Sequence, residues 1–392
     1  MLDEVARWRQ DTPGTQTRNH LNNAGASLMP TPVVNTMLDH LALEREIGGY
    51  EAADFVADRI AEVYAQVAML VGAAPRNIAV VENATVAFSQ AIAAFDFAPG
   101  DRIVVSRADY VSHQLMFLAM GRRQGVEVVH ADDVPGGGVD PDSVRQLASH
   151  PRCRLVSVSW MPTNSGLVQD VAAVGAVCEP LGVPYIVDAC QAVGQQPIDV
   201  TAIRCDFLAA TARKFLRGPR GIGFLYVSDR ALDRQWYPIT IDMQGANWTG
   251  ADTFELVDSA RRFENWEFPY ALVLGLGEAA RYALEVGVDV AGERAWRLAA
   301  QLRALLGDVP RARVLDKGTT RSAIVTVHIG GADHHRLVNE LRKRGVNTSV
   351  SSRSAAWFDM TAKGVESALR VSPHYYNTED ELEGFVEILK TL

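Results

Sequence analysis

A lysine and an aspartate stand where two apolar stretches of the sequence end. Lys214 lies between the apolar residues 207–210 and residues 221–226, a pattern that predicts a buried strand, an exposed turn and a second buried strand. Asp188 ends another apolar stretch earlier in the chain. An amine and a carboxylate at the ends of neighbouring strands suit pyridoxal phosphate (PLP), which the lysine would bind as a Schiff base while the carboxylate pairs with the ring nitrogen.

The carboxylate of Asp188 would keep the pyridine nitrogen protonated, and the protonated ring is an electron sink for a carbanion at the substrate Cα. Gln191 follows closely enough to hydrogen-bond the phenolic oxygen of the cofactor. Aspartate at a strand end is also a common helix cap, and Lys214 alone would be a surface lysine. Its position between apolar strands favours the functional interpretation, because a buried ammonium is costly unless it is used.

The phosphate of such a cofactor needs hydrogen-bond donors. Ala84 and Thr85 follow Asn83 at a strand-to-helix turn, and the backbone N–H groups at a helix N-terminus bind phosphate. Thr211 and Arg213 would reach the same group from the lysine turn. The alternatives are an ordinary helix N-cap at Asn83 and a solvated turn around Lys214.

Further candidates would contact the cofactor ring and the substrate. Tyr110 and His113 follow a predicted strand, and either would supply a flat group over the ring; simple packing is the alternative for both. Arg370 would bind a substrate carboxylate in bidentate fashion. The alternative interpretation is that Arg370 forms a surface salt bridge.

Alternating strand and helix patterns predict an α/β fold with a mostly parallel sheet that is covered on both faces. Ligands of such sheets bind beyond the carboxyl ends of the strands. The predicted strands span residues 78–81, 102–105, 126–129, 155–158, 185–187 and 207–210, with helices at 84–95 and 114–125. Residues 240–265 show no clear periodicity, and helices at 270–286, 294–306 and 378–389 with a strand at 323–327 follow. We therefore expect a large domain over residues 16–270 and a smaller one over 271–392, with residues 1–15 packed nearby.

Composition excludes several classes of function. The chain has 392 residues and a net charge of −9, which gives no reason to expect nucleic-acid or anionic-membrane partners. Residues 1–10 lack the apolar core of a secretory signal, and no apolar stretch approaches the roughly 20 residues that span a bilayer. The four cysteines show no metal-ligand spacing, so we expect reduced thiols, no metal and a cytoplasmic location. No Gly-x-Gly-x-x-Gly motif follows the first strand, which disfavours a dinucleotide site.

Six segments of the chain resemble class V aminotransferase-fold enzymes, a group that includes cysteine desulfurases, isopenicillin N epimerase-like proteins and C–S lyases. They are residues 21–30, 82–85, 163–166, 188–194, 211–226 and 369–378. The resemblance covers nearly the whole chain. It implies fold type I, with a mostly parallel seven-stranded sheet in the large domain and a smaller α+β C-terminal domain. It also implies a homodimer with active sites at the subunit boundary and a small amino-acid substrate.

The resemblance implies a role for each candidate residue. Lys214 would be the Schiff-base lysine, Asp188 the partner of the ring nitrogen and Gln191 that of the phenolic oxygen. The remaining cofactor contacts would come from Ala84, Thr85, His113, Asn164, Thr211 and Arg213. The substrate contacts would come from Asn23, Gly25, Asn164 and Arg370.

Three departures from the family pattern bear on the site and its reaction. Desulfurases of this group carry a nucleophilic cysteine in a loop before the carboxylate-binding arginine, and the corresponding residues 346–354 contain none. Desulfuration through a persulfide is therefore disfavoured. A Gly-Thr motif, by which the second subunit contacts the phosphate, is replaced by Glu264, Asn265, Trp266 and Glu267. The histidine that stacks on the ring would fall near Val111, so the sequence leaves open which group covers the cofactor.

The core motif leaves the reaction type open. After loss of the Cα proton, β-elimination, transamination and epimerisation compete, and Lys214 would serve as the base for all three. The resemblance to the C–S lyase and epimerase-like branch favours β-elimination from an S-substituted cysteine. Transamination, epimerisation and a decarboxylating variant remain alternatives. A binding protein without chemistry is disfavoured, because Lys214, Asp188 and Gln191 are all present.

Overall fold

A computed structural model describes residues 2–392 of the chain. Its strands are β1 (Asn19–His20), β2 (Ile78–Val81), β3 (Arg102–Val105), β4 (Glu127–His130), β5 (Cys153–Ser159), β6 (Tyr185–Asp188), β7 (Phe207–Thr211), β8 (Gly223–Val227), β9 (Ala246–Gly250), β10 (Thr253–Leu256), β11 (Ala312–Val314), β12 (Val325–Ile329), β13 (Val346–Asn347), β14 (Ser349–Ser352) and β15 (Ser367–Val371).

The α-helices are α1 (Leu2–Gln10), α2 (Thr31–Ile47), α3 (Gly49–Phe55), α4 (Ala57–Val71), α5 (Ala84–Ile92), α6 (Val111–Gln124), α7 (Pro141–Ala148), α8 (Val171–Leu181), α9 (Val200–Ile203), α10 (Asp229–Asp233), α11 (Tyr270–Val286), α12 (Val288–Leu306), α13 (His334–Lys343), α14 (Trp357–Lys363) and α15 (Glu379–Lys390). Short 3-10 helices lie at Pro13–Gln16, Pro75–Asn77, Ala260–Phe263 and Arg353–Ala355. Within residues 2–392, no helix is long and apolar enough to cross a membrane.

Seven strands form one large sheet in the order β2-β8-β7-β6-β5-β3-β4. All neighbouring strands from β7 to β4 are parallel, and β8 runs antiparallel to both β2 and β7. Strands β6 and β7 are buried along their whole length, as expected for a sheet that is covered on both faces. The predicted α/β fold with a mostly parallel seven-stranded sheet is confirmed.

A second, antiparallel sheet has the strand order β11-β12-β15-β14 and carries its own apolar core with α12, α13 and α15. Thr378 and Glu381 form a reciprocal capping box at the start of α15, in agreement with the predicted capped helix. The sequence indicated no regular structure for residues 240–265, whereas the chain forms the antiparallel hairpin β9–β10 there. Most of the hairpin is exposed, so it lacks the alternating burial that makes a strand recognisable from sequence.

The lysine turn is joined to both ends of the chain by Arg217. This side chain is almost fully buried and takes a left-handed backbone conformation, with φ of 63°. Its guanidinium donates to the Leu28 carbonyl at 2.9 Å and to the Tyr375 hydroxyl at 2.5 Å. It also lies over the rings of Tyr375 and Tyr376, with centroid distances of 5.2 and 4.6 Å. One buried cation therefore fixes the turn relative to the N-terminal segment and to the loop that follows β15.

We predict that Arg217→Lys lowers the free energy of unfolding by about 2–4 kcal/mol, because lysine keeps the charge but loses the planar contacts and at least one charge-assisted hydrogen bond. Chemical denaturation monitored by circular dichroism measures the change. The control is Arg234→Lys, an exposed arginine that also lies over a ring, that of Trp236. We expect the control to cost less than about 0.5 kcal/mol. Equal effects of the two substitutions would contradict the anchoring role.

Candidate active site

A cavity of about 260 Å³ opens at the carboxyl ends of β6 and β7. Many of the residues that the sequence singled out line it together. They are Asn83, Ala84, Thr85, Tyr110, His113, Asp188, Thr211, Arg213 and Lys214. Cys190, Arg220 and Gly221 complete the lining. The cavity lies where an open, largely parallel sheet is expected to bind its ligand.

Lys214 is held by a tight turn after β7. The Arg217 amide donates to the Lys214 carbonyl at 2.9 Å, and the Gly218 amide donates to the Ala212 carbonyl at 2.8 Å. Gly194 packs directly under this turn, where a Cβ would lie only 2.4 Å from the Phe215 carbonyl oxygen. The lysine is therefore presented on a rigid backbone. Burial lowers the pKa of Lys214 below its ordinary value, although the nearby Cys190 and Asp188 favour the charged form.

The carboxylate of Asp188 is buried at the end of β6 and hydrogen-bonded on both oxygens. Oδ1 accepts from the Cys190 amide at 2.9 Å, and Oδ2 accepts from the Ser159 hydroxyl at 3.1 Å. Burial alone would raise the pKa of Asp188. The charges of His113 and Lys214 and the amide of Cys190 outweigh burial and bring the pKa below its ordinary value. Asp188 is therefore anionic at neutral pH.

Tyr110 and His113 lie on the same turn at the start of α6 but have different surroundings. The His113 ring stacks on Phe88, with centroids 3.6 Å apart, and its Nδ1 is 3.9 Å from Oδ2 of Asp188. The Tyr110 ring faces the lysine, with Lys214 Nζ 5.7 Å from its centroid. The sequence left open which of the two would cover a cofactor ring, and the position of Tyr110 beside the amine favours Tyr110.

The cavity also has groups that suit an anion. Asn83 caps α5 by accepting from the Val86 amide at 3.0 Å, and the N–H groups of Ala84 and Thr85, in the first turn, have no intrahelical partner. Arg213 and Arg220 also line the cavity. Burial, followed by the positive charge of Arg220, lowers the pKa of Arg213. A helix N-terminus and two neighbouring guanidinium groups in one cavity are favourable for a phosphate.

Arg370 lies on β15 with its guanidinium buried and without a carboxylate partner among residues 2–392. Nη1 donates to the Thr163 hydroxyl at 2.5 Å, and Nη2 donates to Asn22 Oδ1 at 3.3 Å. Its Nε is buried and has no hydrogen-bond partner within the described chain. Burial, followed by the charge of Arg213, lowers the pKa of Arg370 to about 10. A buried guanidinium of this kind is suited to a carboxylate ligand.

Besides Arg370, four predicted residues lie outside the lining of this cavity. The amide of Asn23 donates to the His20 and Ser372 carbonyls, and its oxygen accepts from the Tyr376 hydroxyl, so its role as a substrate contact stays a prediction. Asn22, which the sequence analysis overlooked, is the residue that contacts Arg370. Gly25 contributes its carbonyl, which accepts a hydrogen bond from Arg213.

Gln191 and Asn164 are also turned towards protein partners. Gln191 Nε2 donates to the Ala24 carbonyl at 3.0 Å and to the Thr163 hydroxyl at 3.2 Å, whereas its Oε1 is buried and has no partner within residues 2–392. The amide of Asn164 donates to Asp359 Oδ2 at 2.8 Å. Asp359 lies on α14, and no sequence pattern indicated this pairing.

Sequence reasoning also missed a buried carboxylate beneath the site. Asp109 accepts from the Ser106 and Ser157 hydroxyls at 2.5 and 3.1 Å and from the Ser159 amide at 2.8 Å. Because Ser159 also donates to Asp188, the two carboxylates belong to one hydrogen-bond network. Burial raises the pKa of Asp109 to about 7. The signal that the sequence offered for this carboxylate was the group of serines at the strand ends, Ser106, Ser157 and Ser159.

Comparison with known proteins places this site in a family. The model of the family described as "Aminotransferase class-V" matches residues 19–385. The chain belongs to the class V aminotransferases. It is 26% identical to a probable cysteine desulfurase of Methanothermobacter thermautotrophicus, over 98% of this chain and 97% of the relative. The family resemblance seen in the sequence is confirmed, and the chain is a PLP-dependent enzyme.

Solved structures of class V enzymes share the fold. The apo cysteine desulfurase of Thermococcus onnurineus NA1 superposes with a TM-score of 0.90 at 22% identity, over 98% of this chain and 97% of the other. The cystine C–S lyase C-DES, solved with its product cysteine persulfide, superposes with a TM-score of 0.84 at 21% identity, over 97% and 99% of the two chains. The fold is therefore common to desulfurases and to a C–S lyase.

The residues of this class V site fit PLP. A buried amine and a buried anionic carboxylate face one cavity, which the N-terminus of α5 and two arginines also line. His113 Nδ1 beside Asp188 and Gln191 Oε1 are buried polar atoms without partners in the described part of the chain. We propose that Lys214 and Asp188 hold the reactive part of the cofactor and that Ala84, Thr85, Thr211 and Arg213 hold its phosphate.

We predict that Lys214→Ala loses the visible absorbance of the protein after incubation with PLP. The substitution removes the only amine among the residues that line the cavity. Borohydride reduction and mass spectrometry should add one reduced cofactor to the wild-type peptide that contains Lys214 and none to the variant. The exposed Lys343→Ala serves as the control and should keep the label. Label retained in Lys214→Ala at wild-type yield would contradict the assignment.

A second prediction concerns the pH dependence of stability. The native state holds the Asp109 proton up to about pH 7, whereas the unfolded chain releases it near pH 4. The wild type therefore loses stability as the pH rises from about 4 to about 7, and the neutral Asp109→Asn does not. The unfolding temperature of the variant relative to wild type should rise across this range. The control is the exposed Asp142→Asn. A difference between variant and wild type that is independent of pH would contradict the protonation of buried Asp109.

Proposed function

We propose that this enzyme cleaves the C–S bond of S-substituted cysteines by β-elimination and releases pyruvate, ammonium and a thiol. The observation that carries the proposal is the absence of a cysteine on the substrate side of the site. Residues 346–354, where class V desulfurases are expected to carry their nucleophile, form β13, β14 and a 3-10 helix without a thiol. Without a persulfide carrier, the sulfur leaves with its substituent.

The cysteine that lines the cavity does not replace that nucleophile. Cys190 lies beside Asp188, on the side of the cavity expected to face the ring nitrogen. Burial, followed by the negative charge of Asp188, raises the pKa of Cys190 well above that of a free thiol. The thiolate is the reactive form, so Cys190 is a poor nucleophile.

The side chains of the site have complementary roles in this proposal. When bound, PLP supplies an electron sink for the pair left by loss of the Cα proton. Arg370 binds the substrate carboxylate. Lys214, whose pKa is lowered by burial, removes the Cα proton as a neutral amine. Asp188 stays anionic and would keep the ring nitrogen protonated, and Tyr110, whose ring lies beside Lys214, would pack against the cofactor ring.

The proposed reaction balances without an oxidant. The electron pair of the Cα–H bond becomes the second bond between Cα and Cβ, and the Cβ–S bond breaks with its pair going to sulfur. The proton taken by Lys214 returns to the departing sulfur and gives the thiol. The organic product, 2-aminoacrylate, reacts with water to give pyruvate and ammonium. No keto acid is consumed, which distinguishes the reaction from transamination.

Cysteine desulfuration is the second candidate, because the relative from Methanothermobacter thermautotrophicus is described as a probable cysteine desulfurase. That reaction would give alanine and leave sulfur on a protein thiol. Epimerisation, transamination and decarboxylation remain alternatives within the family. Epimerisation would give the mirror-image amino acid. Transamination would give the keto acid of the substrate and would require a keto-acid acceptor.

We also propose that the enzyme is a homodimer. Several large apolar side chains are exposed along α2 and α3 and around the hairpin β9–β10, including Leu38, Phe55, Trp248 and Met243. A second copy of the chain would cover them and bring further residues to the cavity. The four cysteines are free thiols, in keeping with a reducing cytoplasmic location. The domain limits at residues 16–270 and 271–392 stay a proposal as well.

We predict that the PLP-loaded enzyme releases pyruvate and thiol in equal amounts from S-substituted cysteines, without added keto acid. Lactate dehydrogenase coupling measures pyruvate, and a thiol reagent measures the thiol. Lys214→Arg should lower kcat by at least about 100-fold, since general acid–base catalysis typically contributes that much. Arg370→Lys should raise KM more than it lowers kcat, because it weakens a bidentate carboxylate contact.

Two outcomes would contradict the lyase proposal. A strict requirement for a keto-acid acceptor would indicate transamination. Alanine from L-cysteine, together with a protein persulfide detected by mass spectrometry, would indicate desulfuration. The Cys190→Ala variant separates these cases further, because elimination does not use the thiol and should continue at a similar rate.

A further inference from the structure

A second cavity adjoins the cofactor cavity and is largely apolar. It has a volume of about 280 Å³ and lies between α6 and residues 354–359. Four large apolar side chains line it, those of Leu115, Leu118, Trp357 and Phe358. All four are substantially exposed, with exposed fractions of 61% for Leu115 and 63% for Trp357. An apolar cleft of this size beside an active site is typical of a small-molecule binding subsite. We call this cavity the distal pocket.

Two short segments of the chain join the distal pocket to the proposed catalytic site. Tyr110 lines the cofactor cavity and the next residue, Val111, lines the distal pocket. On the other side Thr163 accepts a hydrogen bond from Arg370, and the next residue, Asn164, lines the distal pocket. The distal pocket is therefore lined by the residues that directly follow Tyr110, which faces Lys214, and Thr163, which contacts Arg370.

The far wall of the distal pocket is firmly fixed. Asp359 on α14 accepts from the Asn164 amide at 2.8 Å, and its other oxygen pairs with Lys317 at 2.9 Å. Lys363 pairs with the same carboxylate from the next turn of the helix. These contacts join α14 to the loop that carries Asn164, so Trp357 and Phe358 are presented by an anchored helix.

The charges at the distal pocket are already compensated. Arg107 pairs with Asp132 at 2.7 Å, and Lys317 pairs with Asp359. The His130 ring packs against Phe358, with centroids 4.6 Å apart, and burial lowers the pKa of His130, so the imidazole is neutral at pH 7. Asp109 also lines the distal pocket, and its carboxyl group is hydrogen-bonded by the Ser106 and Ser157 hydroxyls and the Ser159 amide. The remaining surface is mainly aromatic and aliphatic, which favours a neutral apolar group.

We propose that the distal pocket binds the S-substituent of the substrate and that this substituent is a large neutral apolar group, aryl or arylalkyl. This inference rests on the proposed C–S lyase function and extends it to a substrate class. Leu115 and Phe358 form opposite walls and act as specificity-determining residues. The chemistry at Cα needs neither of them.

Binding is tested with substrate analogues that cannot undergo elimination. The methylene analogues of S-methylcysteine and S-benzylcysteine, in which CH2 replaces sulfur, are titrated into the PLP-loaded enzyme by isothermal calorimetry. We expect the benzyl analogue to bind at least about 10-fold more tightly than the methyl analogue, since even one methylene in an apolar pocket contributes that order of discrimination. A ratio near one would overturn the proposal.

Substitutions in the distal pocket test whether it is the source of the preference for the benzyl analogue. Leu115→Gln and Phe358→Gln should each reduce the benzyl-to-methyl ratio to about 3 or less while leaving the affinity for the methyl analogue within about twofold. Leu181→Gln, at an exposed leucine on α8 outside both cavities, is the matched control and should keep the ratio. An unchanged ratio in both pocket variants would overturn the assignment, and a simultaneous change in sedimentation would show that the surface contacts a second subunit instead.

Turnover is measured separately, so that the two proposals can fail independently. Pyruvate release from S-benzylcysteine tests the elimination, and the affinity ratio of the inert analogues tests the pocket. A high ratio without pyruvate release would contradict the lyase function and support the pocket. Pyruvate release with a ratio near one would support the lyase function and overturn the pocket.

Discussion

The burial of two opposite charges at the ends of neighbouring strands is the constraint on which this structure depends. Lys214 and Asp188 both lie in the interior, where an isolated charge is strongly disfavoured. Asp188 remains ionised because two donors and the charges of His113 and Lys214 compensate it. Burial lowers the pKa of the lysine below its ordinary value, although Cys190 and Asp188 oppose this effect. A carboxylate that stays charged beside an amine that readily loses its charge is the condition that PLP chemistry requires.

The rest of the fold maintains that arrangement. The parallel register of β6 and β7 sets Asp188 and the lysine turn at the same edge of the sheet. Gly194 allows the turn to pack on the backbone below it, and Arg217 joins the turn to residues from both ends of the chain. Arg370 arrives from the second sheet, through β15. The candidate site is therefore assembled from two sheets, and the contact between them brings Arg370 close enough to act on Lys214 electrostatically.

The sequence predicted the residues whose positions follow from backbone topology. Asp188, Thr211 and Lys214 lie at strand ends and Ala84 and Thr85 at a helix start, so alternating apolar patterns were enough to place them together. Side-chain directions within loops were less accessible. Asn22 and Asn23 are adjacent in the sequence, so the sequence alone does not show which of them contacts Arg370. In the structure the oxygen of Asn23 accepts from the Tyr376 hydroxyl, and the oxygen of Asn22 accepts from Arg370. The pairing of Asn164 with Asp359 joins distant parts of the chain and has no local signature. The hairpin β9–β10 was missed because its burial does not alternate.

The most direct test of this account is the protonation state of the pyridine nitrogen in the bound cofactor. PLP labelled with nitrogen-15 at the ring can be bound to wild type and to Asp188→Ala, and the nitrogen chemical shift recorded by solid-state NMR across the neutral pH range. The account predicts a protonated pyridinium in the wild type and a neutral pyridine in the variant. A neutral ring nitrogen in the wild type, or the same shift in both proteins, would contradict the pairing of Asp188 with the cofactor.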